Sequence, residues 1–235
     1  MPTRTATGDG LPGHHDACPH GVRMRSAARM LAELAVTLGA ILALFCAYLL
    51  WGTSAYTEGH QRLLQRRLVT DHALKNPRKL DSGRALAIIR IPRFGDGYHY
   101  AIVEGVDAED LRRGPGHYPG TALPGEPGNF VVSGHRTTYA APFNRLAELR
   151  RGDDLLIDTR GFRYTYRVTS TKVVDPTDLD AIAPVPGRPG LRPTRAAITL
   201  TTCHPEYSAR QRLLVSGVLA FKQSHDPGHA RGPHV

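Results

Sequence analysis

The sequence predicts an all-β domain, a closed or nearly closed barrel of about seven or eight strands, placed behind one membrane-length helix. From Arg84 to about Gln223, short apolar or alternating runs recur between Gly/Pro/Asp clusters, which is the pattern of strands and turns. No regular alternation with helix-length segments interrupts them, and this argues against a parallel sheet wrapped in helices. Ahead of them, Leu34–Trp51 runs for 18 residues without a charged side chain.

The 235 residues have room for one ordinary domain plus appendages. A composition 41% hydrophobic and 22% charged is globular, and 24 Gly with 18 Pro promise many turns. The net charge of +9 raises the question of nucleic acid. The basic residues are scattered, however, and no helix–turn–helix, zinc-finger spacing or aromatic-studded basic sheet motif is present. A solvated basic surface near acidic lipids or cell-wall polymers is the expectation, with no nucleic-acid partner.

Residues 1–30 read as a disordered tail, because "TATGDGLPGHHDACPHG" has no apolar period and many breakers. The spacing of His14, His15, Cys18 and His20 fits no tetrahedral metal site. Residues 31–52 form the expected transmembrane helix. At about 1.5 Å rise per residue, the uncharged run nearly crosses a hydrocarbon core of about 30 Å. Trp51 and Tyr56 would anchor it at the interface. A cleaved signal peptide is the competing reading, but its leader would be unusually long and "TSAYTEG" is a poor cleavage site. Arg23, Arg25 and Arg29 lie on one side of the run and Arg62, Arg66 and Arg67 on the other, so charge by itself does not orient it.

Residues 53–83 are an expected spacer. It contains one helical patch, "HQRLLQRRLVTDHAL", in which Leu63, Leu64, Leu68 and Leu74 make an apolar stripe beside a basic face. Whether the patch lies on a membrane or only spaces the domain is open. Over 84–223 the strands are read at "RALAIIRIP", "YHYAIVEG", "NFVVSGHR", "DLLIDT", "FRYTYRVTSTKVVD", "RAAITLTTC" and "RLLVSGVLAF", with short helical pieces near "DAEDLRR" and "APFNRLAEL". Residues 224–235 are a second loose tail. There is no internal repeat.

The chain has 3 cysteines, Cys18, Cys46 and Cys203. The first lies in the tail and the second in the membrane-length run, so neither is a plausible bridge partner for Cys203. Cysteine counting leaves two readings of Cys203 open, a buried small hydrophobe and a free reactive thiol. Strand facing separates them. Ile198, Leu200 and Thr202 share one face of their strand, and Ala197, Thr199, Thr201 and Cys203 the other. The larger apolar residues turn inward, which puts Cys203 on the more polar surface at the strand's end.

A thiol becomes a nucleophile with help from a histidine or a positive field. His204 is adjacent in sequence, but alternation aims its ring the other way. His117 sits in "GPGHYPG", read as a loop. His135 ends the run "VVSGHR" at a rim, where it is either a catalytic base or a loop histidine bonded to backbone. Arg212 opens the strand after the cysteine, and a guanidinium there can donate to a developing oxyanion. Arg210, two residues earlier, is its rival. Either is otherwise a solvated surface charge.

"TLTTC" ending one strand, "SGHR" ending an earlier one and an arginine opening the strand after the cysteine resemble a sortase. The longer forms "SGHRTTYAAPFNRL" and "TLTTCHPEYSARQRLLV" are similar to the class E branch of actinobacteria, over roughly residues 84–222. The resemblance implies a closed eight-stranded barrel outside the membrane, with the N-terminus cytoplasmic. It implies a cysteine transpeptidase that cuts an LAxTG- or LPxTG-like sorting signal in secreted proteins; no cofactor or metal is expected. The acyl product would pass to an amine nucleophile of a peptidoglycan precursor, or build a pilus-like polymer. Residue by residue, Cys203 matches the family's nucleophile, His135 its histidine and Arg212 its arginine. Thr202 matches a threonine that lines the substrate groove, and Tyr139 lies in the stretch used near the signal's second residue. Ala140 stands where relatives often carry glycine, which bears on the geometry of that loop.

Two other classes compete. A papain-like hydrolase would want its cysteine at a helix start, and a membrane-anchored binding module would make Cys203 incidental. Asp175, Asp178 and Asp180 in "VVDPTDLD" offer a calcium site on paper. Thr177 or Asp178 capping a short helix after Pro176 is the expected use of this stretch.

Overall fold

The structure, a computed structural model, describes residues 20–70 and 81–224. His14, His15, Cys18, Leu74 and the stretch 225–235 therefore lie outside the described residues. The chain divides into two units, Met1–Cys46 and Ala47–Val235.

In the first unit the described element is helix α1, His20–Ala47. Ala28–Ala47, 20 residues with a mean hydropathy of 2.2, is long and apolar enough to cross a membrane, and none of it is buried by protein. Leu34, Val36, Ile41 and Phe45 are all exposed, the arrangement that suits a hydrocarbon solvent and penalises an aqueous one.

The second unit is built on eight strands: β1 Ala85–Arg90, β2 His99–Glu104, β3 Gly116–His117, β4 Gly128–Ser133, β5 Asp154–Asp158, β6 Phe162–Val174, β7 Ala196–His204 and β8 Gln211–Ser224. They close in the order β1-β2-β3-β4-β7-β8-β6-β5, with β5 pairing back to β1. Closure removes the open edges that a sheet of this length would otherwise present. Alternation along each strand fills the interior. Ile89, Ile102, Phe130, Val132, Leu155, Ile157, Tyr166, Ile198, Leu200 and Val215 are fully buried in one core. Tyr166 is a large, fully buried polar member of that core, and its hydroxyl accepts from Gly125 N at 2.7 Å.

The helical pieces expected near "DAEDLRR" and "APFNRLAEL" are helix α3, Ala108–Arg113, and a 3-10 turn, Asn144–Glu148. His117 differs from its reading as a loop residue. It ends the two-residue strand β3, parallel to β2 and antiparallel to β4. It is 2% exposed, with Nδ1 2.7 Å from Glu104 Oε2 and Nε2 2.8 Å from Thr121 Oγ1. Two residues are too few for a period to show in sequence.

The spacer helix also proves more than a spacer. Helix α2, Thr53–Thr70, seals its stripe against the barrel, with Leu64 and Leu68 packed on Ala85, Ile88, Ala101 and Val103. Leu63 stays 53% exposed. Tyr56, expected as an interface anchor, donates its hydroxyl to Glu109 Oε1 at 3.0 Å. The docking is specified by a polar residue. β3 covers β2 only at Val103 and Glu104, which leaves Ala101, paired with Ile88 on its other side, without a strand neighbour on the β3 side. The buried carboxamide of Gln61 takes that place, accepting from Ala101 N at 2.6 Å and donating to Ala101 O at 3.0 Å and to Arg113 O at 2.8 Å. Truncation would leave a buried N–H and two carbonyls unpaired, at about 1–3 kcal/mol for each unsatisfied group. Gln61→Ala is therefore expected to lower stability by about 3 kcal/mol or more, a fall of at least roughly 6–12 °C in thermal midpoint for a domain of this size. Calorimetry showing no change would remove Gln61 from this role.

Candidate active site

The site stands on strand β7, whose two faces separate cleanly. Ile198 and Leu200 are fully buried in the core. Thr199, Thr201 and Cys203 face outward, with the threonines covered and Cys203 a partly exposed free thiol. Both neighbours of β7 contribute to that outer face. On β8, Ser216, Leu214 and Arg212 are the register partners of Thr199, Thr201 and Cys203. Arg212 and Cys203 thus lie directly opposite each other, their Cα atoms about 5 Å apart. On β4, Val131 and Ser133 pair with Thr199 and Thr201. The ladder ends there, two residues short of His135 and of Cys203. Gly134 N donates to Thr201 O at 3.1 Å, so the chains stay together beyond the formal strand end.

The glycine before His135 has a packing cause, since a Cβ there would sit 2.6 Å from the Phe143 ring. His135 N–C=O is tied back as well, its carbonyl accepting from Phe143 N at 3.0 Å. The imidazole lies 5.0 Å from the Tyr139 ring, tilted by 38°, and the Arg112 guanidinium lies 5.9 Å above that ring. Tyr139, Ala140 and Ala141 all have positive φ, 54°, 60° and 43°, each costing about 1–2 kcal/mol for a residue with a Cβ. The loop that departs from glycine at Ala140 therefore keeps the left-handed backbone and carries the strain. Tyr100 Oη donates to Ala140 O at 3.2 Å and Ala141 N to Thr138 O at 2.9 Å, which help hold it.

Thr202 shares the inward face. It is 2% exposed, and its hydroxyl donates to Gly134 O at 2.7 Å. It ties the cysteine strand to the histidine segment from below the outer surface, while Thr199 and Thr201 are the threonines on that surface. Arg210 precedes the ladder, is exposed, and reaches only Ser208 Oγ at 3.3 Å. The Arg212 guanidinium donates to Ala209 O at 2.9 Å and Gln211 O at 3.1 Å.

The β6–β7 connection roofs the outer face. Asn129 anchors it, donating to Ala181 O and Ala183 O while accepting from Thr199 Oγ1. Beneath it is a cavity of about 90 Å³ lined by Tyr118, Leu179, Ile182, Thr199, Thr201 and Arg212, among others. A larger cavity of about 480 Å³, lined by Glu104, His117 and Glu126, touches neither Cys203 nor His135. Asp178 caps the 3-10 turn Leu179–Ile182 by accepting from Asp180 N, and Asp175 accepts from Thr177 N and Oγ1.

Burial first, and the Arg112 guanidinium second, hold the His135 imidazole below its ordinary value. Between that lowered value and about 6.5 the unfolded chain binds more proton than the folded one, so this group's contribution to stability rises with pH across that window. An NMR titration of His135 is expected to give a midpoint below about 6.5. Arg112→Gln should move it upward without restoring the free value, since burial remains. A midpoint unmoved by the substitution would dismiss the Arg112 field.

The Sortase domain profile matches residues 89–220, more than half of the chain. The chain belongs to the sortase family. Its relatives point to the class E branch. It is 30% identical over 212 residues to Sortase SrtE1 of Streptomyces coelicolor, covering 86% of this chain and 60% of that protein. Over 127 residues it is 38% identical to Sortase D of Bacillus subtilis, covering 54% of this chain and 58% of that one. The chain thus spans about 60% of the length of the curated relatives named. Sortase E from Streptomyces avermitilis superposes with a TM-score of 0.56 at 37% identity, over 62% of this chain and 93% of that one. The closed barrel expected from the family resemblance is the observed fold of this sortase.

Two residues packed beside the Cys203 and His135 segments escaped the sequence. Arg112 comes from α3, more than twenty positions before His135. Arg136 was inside a quoted motif, yet nothing in a sequence distinguishes a buried arginine from a solvated one.

Proposed function

We propose that this sortase is a membrane-anchored cysteine transpeptidase that cleaves an LAxTG- or LPxTG-like sorting signal between Thr and Gly. It passes the acyl part to an amine of the cell wall. The observation that carries the reading is the flanking of Cys203 on one outer face, by Arg212 across the β7–β8 ladder and by the His135 segment across β4–β7. The tripeptide held in the active site of Sortase E1 from Streptomyces coelicolor, to which this chain is similar in fold, supports a peptide substrate.

In this reading the Cys203 thiolate attacks the threonine carbonyl carbon, and Arg212 donates to the oxygen that gains charge. As the C–N bond breaks, the His135 imidazolium gives its proton to the leaving glycine amine, and a thioester remains. The incoming amine attacks that thioester, neutral His135 takes the amine's proton, and the thiolate leaves. Thr202 holds the two reacting strands from beneath, and Tyr139 forms the wall beside His135. Lowering the imidazole's affinity for a proton shrinks the imidazolium fraction at neutral pH, so turnover is expected to be slow. Helix Ala28–Ala47 would hold the N-terminus in the cytoplasm and the barrel outside, where secreted proteins meet peptidoglycan precursors.

The test is a peptide library varied at the second signal position, alanine against proline, with an amine acceptor present. A ligated product from the alanine peptides is the expected result. Hydrolysis alone, with no ligation at any acceptor concentration, would point instead to a protease.

A further inference from the structure

We infer that Arg136 is a positioning residue for the Cys203–His135 pair, clamping the end of β7 to the loop that carries the imidazole. The inference rests on the reading of those two residues as the reacting pair. The β4–β7 ladder stops at Ser133 and Thr201, two residues short of both. What continues it is a set of side-chain and backbone links that bracket them. Before His135, Gly134 N donates to Thr201 O and Thr202 Oγ1 donates to Gly134 O. After it, Arg136 Nη1 donates to Cys203 O at 3.2 Å and lies 2.9 Å from His204 Nδ1. A guanidinium has no acceptor, so Nδ1 accepts and a neutral His204 carries its hydrogen on Nε2.

Arg136 is 9% exposed. Its bonds go to a carbonyl and a ring nitrogen, not to a carboxylate, and its Nε is buried without a hydrogen-bond partner. A buried cation satisfied this incompletely is costly, and such groups in a folded protein call for a reason. The clamp supplies one. The carbonyl of Arg136 accepts from Asn144 Nδ2 at 2.9 Å, and the same amide reaches Glu206 Oε1 at 3.0 Å. Arg136 and Asn144 together fasten the histidine loop to the end of β7 and to Glu206 just beyond it. Thiol and imidazole are thus fixed by restraints on either side of each, and a misplacement of about 1 Å in such a pair costs about 10²-fold in rate.

Arg136→Met and Arg136→Lys in the full chain test this, with two readouts. The first is steady-state cleavage of an LAxTG peptide, corrected for the folded fraction measured by calorimetry. Arg136→Met is expected to lower kcat about 10²-fold with KM unchanged, and Arg136→Lys to recover part of the loss. The second readout needs no substrate. The alkylation rate of Cys203 by iodoacetamide is followed against pH by mass spectrometry of its own peptide. The wild type should show a step at the imidazole titration, and Arg136→Met should lose it. If Arg136→Met fails to fold, the lysine variant still reports, through a weakened step and a lowered kcat. A step that persists in the variants, with kcat per folded molecule unchanged, overturns the positioning role. A wild type without the step overturns the pairing of Cys203 with His135, and this inference with it.

Discussion

Cys203→Ala is expected to abolish the proposed cleavage of a labelled LAxTG peptide and to leave the barrel standing. The loss expected is on the order of 10⁴-fold or more, the scale seen when an enzyme's covalent nucleophile is deleted. The stability cost is small because the side chain faces outward and is only partly buried. The interior methyls and rings that hold β7 belong to Ile198 and Leu200. A reactive-thiol probe strengthens the test, provided the labelled site is identified, since Cys46 is also a free thiol. Cleavage that survives the substitution would falsify the nucleophile assignment. His135→Ala should fall nearly as far, because residues that act as one unit do not lose activity additively. His204→Ala should be far milder, since His204 faces Arg136 and does not face the thiol.

Arg212→Ala is expected to reduce kcat by about 10²–10³-fold, the usual effect of removing one donor to a developing oxyanion. Arg210→Ala should leave kcat nearly unchanged. The discrimination is geometric. Arg212 is the cross-strand partner of Cys203 and so shares its face, whereas Arg210 lies before the ladder begins. The guanidinium of Arg212 rests on two carbonyls of its own turn, and a substrate must draw at least part of it away. The ranking is read from kcat at saturating peptide. If Arg210→Ala does the greater damage, the register argument has picked the wrong arginine.

Much of the barrel was visible beforehand because a strand writes its facing into a period of two. "AAITLTTC" shows it plainly, and the structure turns Ile198 and Leu200 inward and Cys203 outward. Strand β3 was invisible, since Gly116 and His117 owe their pairing to partners far along the chain. The docking of α2 was half visible. Leu64 and Leu68 declared an apolar stripe, but the docking also rests on Gln61, a polar residue that no apolar period marks. The acidic stretch around Asp178 was legible as a cap because capping is local.

The sequence by itself determined the membrane-length helix, the strand periods, the outward cysteine and the motifs that resemble a sortase. These are carried by neighbours along the chain, through hydropathy and alternation. Only the tertiary structure decided that Arg212 lies across the ladder from Cys203, that the segment before His135 runs along the other side of β7, that Arg112 lies over the Tyr139 ring beside His135 and that Arg136 is buried against the Cys203 carbonyl. Strand order and burial are set by contacts between segments tens of residues apart, and no local pattern encodes them.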